Sequence, residues 1–121
     1  MKETAYARFW MANGILFFVY KPIVFLDYAI ARQIVNERLF YQQGTCCPVL
    51  CNLQGIQDSD KSARDYLANE GSSLVKAVAI IGVRATAKVL LHTYLRRSRP
   101  LVPTQMFDNQ EDAIHYLKTF R

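Results

Sequence analysis

Asn13-Gly14 separates two apolar runs, Tyr6–Met11 and Ile15–Tyr20, both rich in aromatic and β-branched residues. Asn and Gly each tolerate the positive φ that a type I′ turn demands, so the two runs are expected to fold back on each other as an antiparallel hairpin. That pairing makes two strands neighbours before any other element is considered.

After the hairpin the pattern changes period. Following Pro22, the segment Asp27–Phe40 reads as a helix, with Leu26, Ile30, Ile34, Val35 and Leu39 on overlapping faces and Gly44 as a stop. Pro48–Leu53 is a short apolar strand, and Gln54–Asp60 is polar and turn-like. Ser62–Glu70 is a short helix that turns Ala63, Tyr66 and Leu67 inward. Ala77–Ile81 is an unbroken Ala/Val/Ile run, the pattern of a strand covered on both faces. Val83–Arg97 is the next helix, with an apolar stripe of Val83, Ala87, Leu90, Leu91 and Tyr94. Thr104–Phe107 is a last strand, and Asp108 as N-cap with Glu111 at the third helical position opens a final helix. Strand and helix alternate with short links, which implies right-handed crossovers. The expected fold is therefore α/β: one domain over residues 1–121, with a five-stranded, mostly parallel sheet, an N-terminal antiparallel hairpin and four helices.

At 121 residues and 51% hydrophobic, the chain can bury a core without disulfides or metal. Its net charge is +5, but the distribution says more than the total. From Gly71 to Phe107 there are six basic residues and no acidic one, so the remainder sums to −1. Such a stretch favours phosphates, acidic protein surfaces or anionic lipid. The charge-free apolar run Phe9–Tyr20 has twelve residues, too few to span a bilayer. Cys46, Cys47 and Cys51 fall in one extended segment, where Cys47 and Cys51 share a face about 13 Å apart at roughly 3.3 Å per residue. That separation allows neither a disulfide nor a shared zinc, and an odd, unpaired set fits a reducing, cytoplasmic compartment. No metal and no other cofactor is expected.

The sequence holds no Gly-x-Ser-x-Gly, no Walker loop and no Gly-x-Gly-x-x-Gly. His92 and His115 lie in separate helices without ligand-type neighbours, and no catalytic residue is assigned. Open α/β sheets place ligands at the C-terminal ends of their strands, which directs attention to two loops. One is Asp58-Ser59-Asp60-Lys61-Ser62, where Asp58, Ser59 or Asp60 could serve simply as an N-cap. The other is Gly82-Val83-Arg84. With Arg84 in the first helical turn, Arg84, Lys88, His92 and Arg96 recur every four residues as a candidate anion-binding stripe; a solvated face is the alternative.

Several pieces, in order, resemble the SpoIIAA/STAS superfamily, and most closely a small bacterial branch of SpoIIAA-like proteins. They are Ala29–Val35, Pro48–Leu53, Ser62–Leu67, Lys76–Ile81, Pro103–Phe107 and Glu111–Lys118. The resemblance implies a non-enzymatic regulatory module, anti-anti-sigma-like, that binds a protein partner and is switched by phosphorylation of a serine in an Asp-Ser-Ser-Gly motif. Aligned on Asn52-Leu53, Asp60 and Ser62 match that motif while Lys61 and Ala63 depart from it. Aligned on Asp58-Ser59, Asp60 and Lys61 depart. Asp58, Ser59, Asp60 and Ser62 are thus the candidate switch loop. A protein partner is expected first; an anionic ligand and a homodimer are compatible, and nucleic acid is disfavoured. The rival reading is a small-ligand or lipid-head-group binder of related fold, which an enclosed apolar cavity would support.

Overall fold

The hairpin forms where the turn residues place it. In the computed structural model, which describes residues 1–121 apart from the side chains of Thr86 and Leu90, β2 (Ala7–Ala12) and β3 (Ile15–Tyr20) pair antiparallel. Asn13 and Gly14 take φ of 53° and 78°, as a primed turn requires. One strand more than the sequence suggests lies outside them: β1 (Lys2–Glu3) pairs antiparallel with β2. At two residues it is too short to leave a period in the sequence.

The rest alternates: α1 (Tyr28–Gln42), β4 (Cys47–Asn52), α2 (Lys61–Asn69), β5 (Val75–Ile81), α3 (Lys88–Arg97), β6 (Thr104–Met106) and α4 (Gln110–Lys118). Single 3₁₀ turns at Glu70–Ser72 and Ala85–Ala87 precede β5 and α3. The six strands form one sheet in sequential order, and β3, β4, β5 and β6 run parallel.

Two core layers follow. On one face Phe9, Leu16, Phe18 and Val49 meet Ala31 and Ile34 of α1 and Ala63 of α2. On the other, Ile15, Leu50, Ala77 and Ala79 meet Ala113 and Leu117 of α4. β5 is therefore covered on both sides, in agreement with its unbroken apolar run. Ala77 and Ala79 have no exposed surface, and their small side chains leave room for α4 to lie close.

Two helix starts differ from expectation. The helix read as Val83–Arg97 begins at Lys88. Gly82 leaves β5 at φ 75°, Arg84 is extended, and neither the 3₁₀ turn nor α3 has a side-chain cap to start the helix earlier. Leu90, expected on the apolar stripe, lies outside the described side chains. The last helix is capped by Asn109, whose side chain accepts from the Asp112 amide at 2.8 Å, and not by Asp108. Asn and Asp cap equally well, and Asp108 is held instead by Lys88 at 3.2 Å.

α1 also turns two polar residues inward. Arg38 and Gln42 are 5% and 6% exposed. The Arg38 guanidinium donates to the carbonyls of Ser73 (3.1 Å) and Gly71 (3.0 Å) and to the Gln42 side-chain oxygen. The Gln42 amide donates onward to Thr45 (3.0 Å) and Leu74 (2.9 Å). Burial lowers the Arg38 pKa, while Tyr20, Cys51 and Cys47 nearby act to raise it. Arg38→Met would take the donor from the buried Gln42 oxygen and from the half-buried Gly71 carbonyl, and we expect it to cost about 3 kcal/mol of stability by urea denaturation. A loss under about 1 kcal/mol would show that water replaces the guanidinium.

Candidate functional site

The loop after β4 is built against the segment after β3. The Ile23 amide donates to Gly55 O (2.8 Å) and Gln57 returns a bond to Ile23 O (2.9 Å). Leu26 donates to Asp58 O (2.8 Å), and Asp60 donates to Leu26 O (3.1 Å). These bonds make two parallel bridges, Ile23 with Ile56 and Leu26 with Ser59. Gly55 is required for this approach: a Cβ there would stand within 2.7 Å of the Tyr20 and Lys21 backbone.

Asp60 is the N-cap of α2, accepting from the Ala63 amide at 2.8 Å. Ser62 is then the second helical residue, with an exposed side chain. Ser59 is half-buried, and its hydroxyl and carbonyl accept from Arg64 at 3.1 and 2.7 Å. Asp58 is exposed and accepts from the Ser59 amide. Lys61 pairs with Asp65 at 2.6 Å, and the Ser98 hydroxyl donates to the other Asp65 oxygen at 2.7 Å. Those two bonds, Lys61 first, hold the Asp65 carboxyl below its ordinary pKa.

Beside this loop stand three exposed apolar side chains that sequence reasoning did not single out. Val24 is 73% exposed, and Phe25 and Tyr28 are 46% exposed each. Tyr28 meets Tyr66 of α2 edge-on, with ring centroids 5.2 Å apart, which ties the patch to the helix that carries Ser62. The available signal was the run Ile23-Val24-Phe25-Leu26, whose inner members Ile23 and Leu26 are buried while the two between them are not.

The basic stripe is not continuous. Arg84 precedes α3 and donates to Gln54 O at 3.4 Å, so it belongs to the first loop's surroundings. Lys88 is engaged by Asp108, His92 is exposed on α3, and Arg96 lies about two turns beyond Lys88, at the opposite end of the helix. Gly82 packs against the Asn52 side chain, which leaves no room for a Cβ.

Cys46 is exposed and lies just outside β4, whereas Cys47 and Cys51 face the first core layer. Burial pushes the Cys51 thiol up to about 12, and it raises Cys47 as well. Among the described residues no cluster of His, Cys, Asp and Glu could hold a metal ion. Ser73 and Lys76 have Ser-x-x-Lys spacing but straddle the start of β5, not a helix. Among the described residues, two concavities of about 560 Å³ each are open surface grooves. One lies between α3 and β6 and is lined by Lys88, His92, Leu95 and Gln105; the other lies on α4. Among the described residues no helix is long and apolar enough to cross a membrane.

A family model described as a domain of unknown function (DUF7793) matches residues 9–121. No curated protein matches the chain. Among solved structures, the chain is similar to an uncharacterised DUF3478-family protein with a SpoIIAA-like fold from Shewanella loihica (TM-score 0.64, 14% identity, 97% of this chain and 98% of that one). It is similar to RsbS of Moorella thermoacetica in a serine-to-glutamate variant (TM-score 0.64, 14% identity, 93% and 95%). A third is the anti-sigma factor antagonist SpoIIAA in its unphosphorylated form (TM-score 0.55, 15% identity, 93% and 97%). The fold is thus SpoIIAA-like.

The cysteine environments make a direct prediction. In the folded protein at pH 8, Ellman's reagent should titrate Cys46 rapidly and leave Cys47 and Cys51 unreacted until denaturant is added. Rapid reaction of all three would show that the layer beneath α1 is open to solvent.

Proposed function

Since the chain belongs to the DUF7793 family and has a SpoIIAA-like fold, we propose that it is a non-enzymatic regulatory module that binds a protein partner through the Asp58–Ser62 loop. The observation that carries this reading is the position of Ser62. It is exposed in the first turn of α2, two residues after the Asp60 cap and beside the exposed apolar patch of Val24, Phe25 and Tyr28. An exposed apolar patch rimmed by polar residues suits a protein interface.

Ser62 is the switch in this reading, and Ser59, held by Arg64, braces the loop. A phosphate on Ser62 brings about −1.5 to −2 charges to a helix N-terminus, where the dipole favours it and the carboxylates of Asp58 and Asp60 oppose it. Next to Val24 and Phe25, that charge would have to be desolvated before an apolar partner surface could close over the patch, so phosphorylation should release the partner.

Affinity capture from the source cells, using wild type, Ser62→Ala, Ser62→Glu and Phe25→Glu, tests this. Wild type and Ser62→Ala should retain a common partner, while Ser62→Glu and Phe25→Glu should lose at least about tenfold of it, equivalent to about 1.4 kcal/mol. Intact-mass analysis of the protein from those cells should show a phosphate that Ser62→Ala lacks. Identical capture by all four proteins would sink the loop as the docking surface.

A further inference from the structure

The two ends of the sheet differ. Each helix returns from the end where a strand finishes, so the helix C-termini gather where β3, β4, β5 and β6 begin. The bond from Arg121 to Asn13 O, at the hairpin turn, places the end of the chain there too. At this end Arg96, Arg97 and Arg99 are all exposed within four residues. The ion pairs among the described residues use Lys21, Lys61 and Lys88, so none neutralises these arginines.

The loop that carries them is anchored. Ser98 is bonded to Asp65, and the Leu101 amide donates to Ala68 O at 3.2 Å. Arg99 takes φ of 46°, unusual for a residue with a side chain, and its Nε donates to Arg96 O at 3.4 Å. On this anchored loop Leu101 is 71% exposed, and Phe40 (75%) and Met11 (42%) stand at the same end. Attraction between basic side chains and a helix C-terminus accounts for Arg96 and Arg97. It does not account for Arg99, which lies beyond the helix, or for a bulky aliphatic side chain projecting from the same turn.

We propose that this end of the domain docks on an anionic membrane surface, with Arg96, Arg97 and Arg99 on lipid phosphates and Leu101 entering the acyl boundary. Basic residues beside an exposed aliphatic side chain are the pairing that an anionic bilayer rewards, because charge and apolar surface are satisfied at adjacent depths. A nucleic acid would meet the arginines but would offer Leu101 nothing. In this orientation the Ser62 loop, at the opposite end of the strands, faces away from the bilayer and stays open to a protein partner.

The test is co-sedimentation of the full chain with phosphatidylcholine vesicles made with and without phosphatidylserine. Wild type should pellet with the serine-lipid vesicles at low salt, remain in solution with phosphatidylcholine alone, and be released as salt rises. Arg96→Glu/Arg99→Glu, checked for folding by circular dichroism, should weaken binding at least about tenfold. Leu101→Ser should weaken it by a smaller factor and leave the salt dependence unchanged. The proposal is overturned if wild type ignores serine-lipid vesicles, if it binds both compositions equally, or if the double variant binds as wild type does. Equal binding by Leu101→Ser would also overturn it, in favour of plain anion attraction. Binding to polyglutamate or duplex DNA but not to vesicles would overturn it in favour of an acidic macromolecule. Loss of the Ser62-dependent partner leaves these outcomes unchanged, since the two surfaces lie at opposite ends.

Discussion

Sequential parallel pairing of β3 to β6 is the constraint from which the remaining architecture follows. Right-handed crossovers between strands added in one direction bring their connecting helices to one face of the sheet. The layer formed by α1 and α2 over Phe9, Phe18 and Val49 follows that rule. The second face is covered by α4, which follows β6 and packs Ala113 and Leu117 over Leu50, Ala77 and Ala79. The same connectivity gathers the helix N-termini at the finishing ends of the strands. It thereby puts the Asp60 cap, Ser62 and the Asn109 cap at one end of the molecule and the arginines at the other.

The join between α1 and the start of β5 shows how one buried cation can replace many small contacts. Arg38 reaches out of α1 to carbonyls at Gly71 and Ser73, and Gln42 continues to Thr45 and Leu74. These loops enter the neighbouring strands β4 and β5, and the Leu74 carbonyl also accepts from the Cys47 amide at 3.2 Å. With no carboxylate among its hydrogen-bond partners, the guanidinium is solvated by peptide dipoles, which suits an Arg better than a Lys because its planar fork reaches several acceptors at once.

What the sequence revealed and what it hid divide along physical lines. The hairpin was legible because Asn13-Gly14 demands positive φ, and β5 was legible because Ala77–Ile81 admits no solvent face. The Asp60 cap was legible as one of three candidates. Arg38 and Gln42 were hidden, since a polar residue turns inward only when distant carbonyls are waiting, and those come from 30 or more residues further along the chain. The start of α3 was hidden because Val83 and Arg84 continue the helical spacing even though Gly82 redirects the backbone. At the candidate site the polar loop was visible but its apolar flank was not. Val24 and Phe25 look like core until Ile23 and Leu26 are seen to take the inward positions.

The Asp65 carboxylate deserves its place in this arrangement because it serves both halves of the domain. One oxygen holds Lys61, next to Ser62, and the other holds Ser98, at the root of the arginine loop. Its lowered pKa means that this support is present above the ordinary carboxylate range and is lost as pH falls through the lowered value. A phosphate on Ser62 would lie beside the same ammonium group and draw Lys61 away, since a dianion outcompetes a single carboxylate for it. Asp65 would still keep Ser98, a bond that does not need Lys61. A change at Lys61 would thus leave the Ser98 bond, which anchors the loop that displays Arg99 and Leu101, in place.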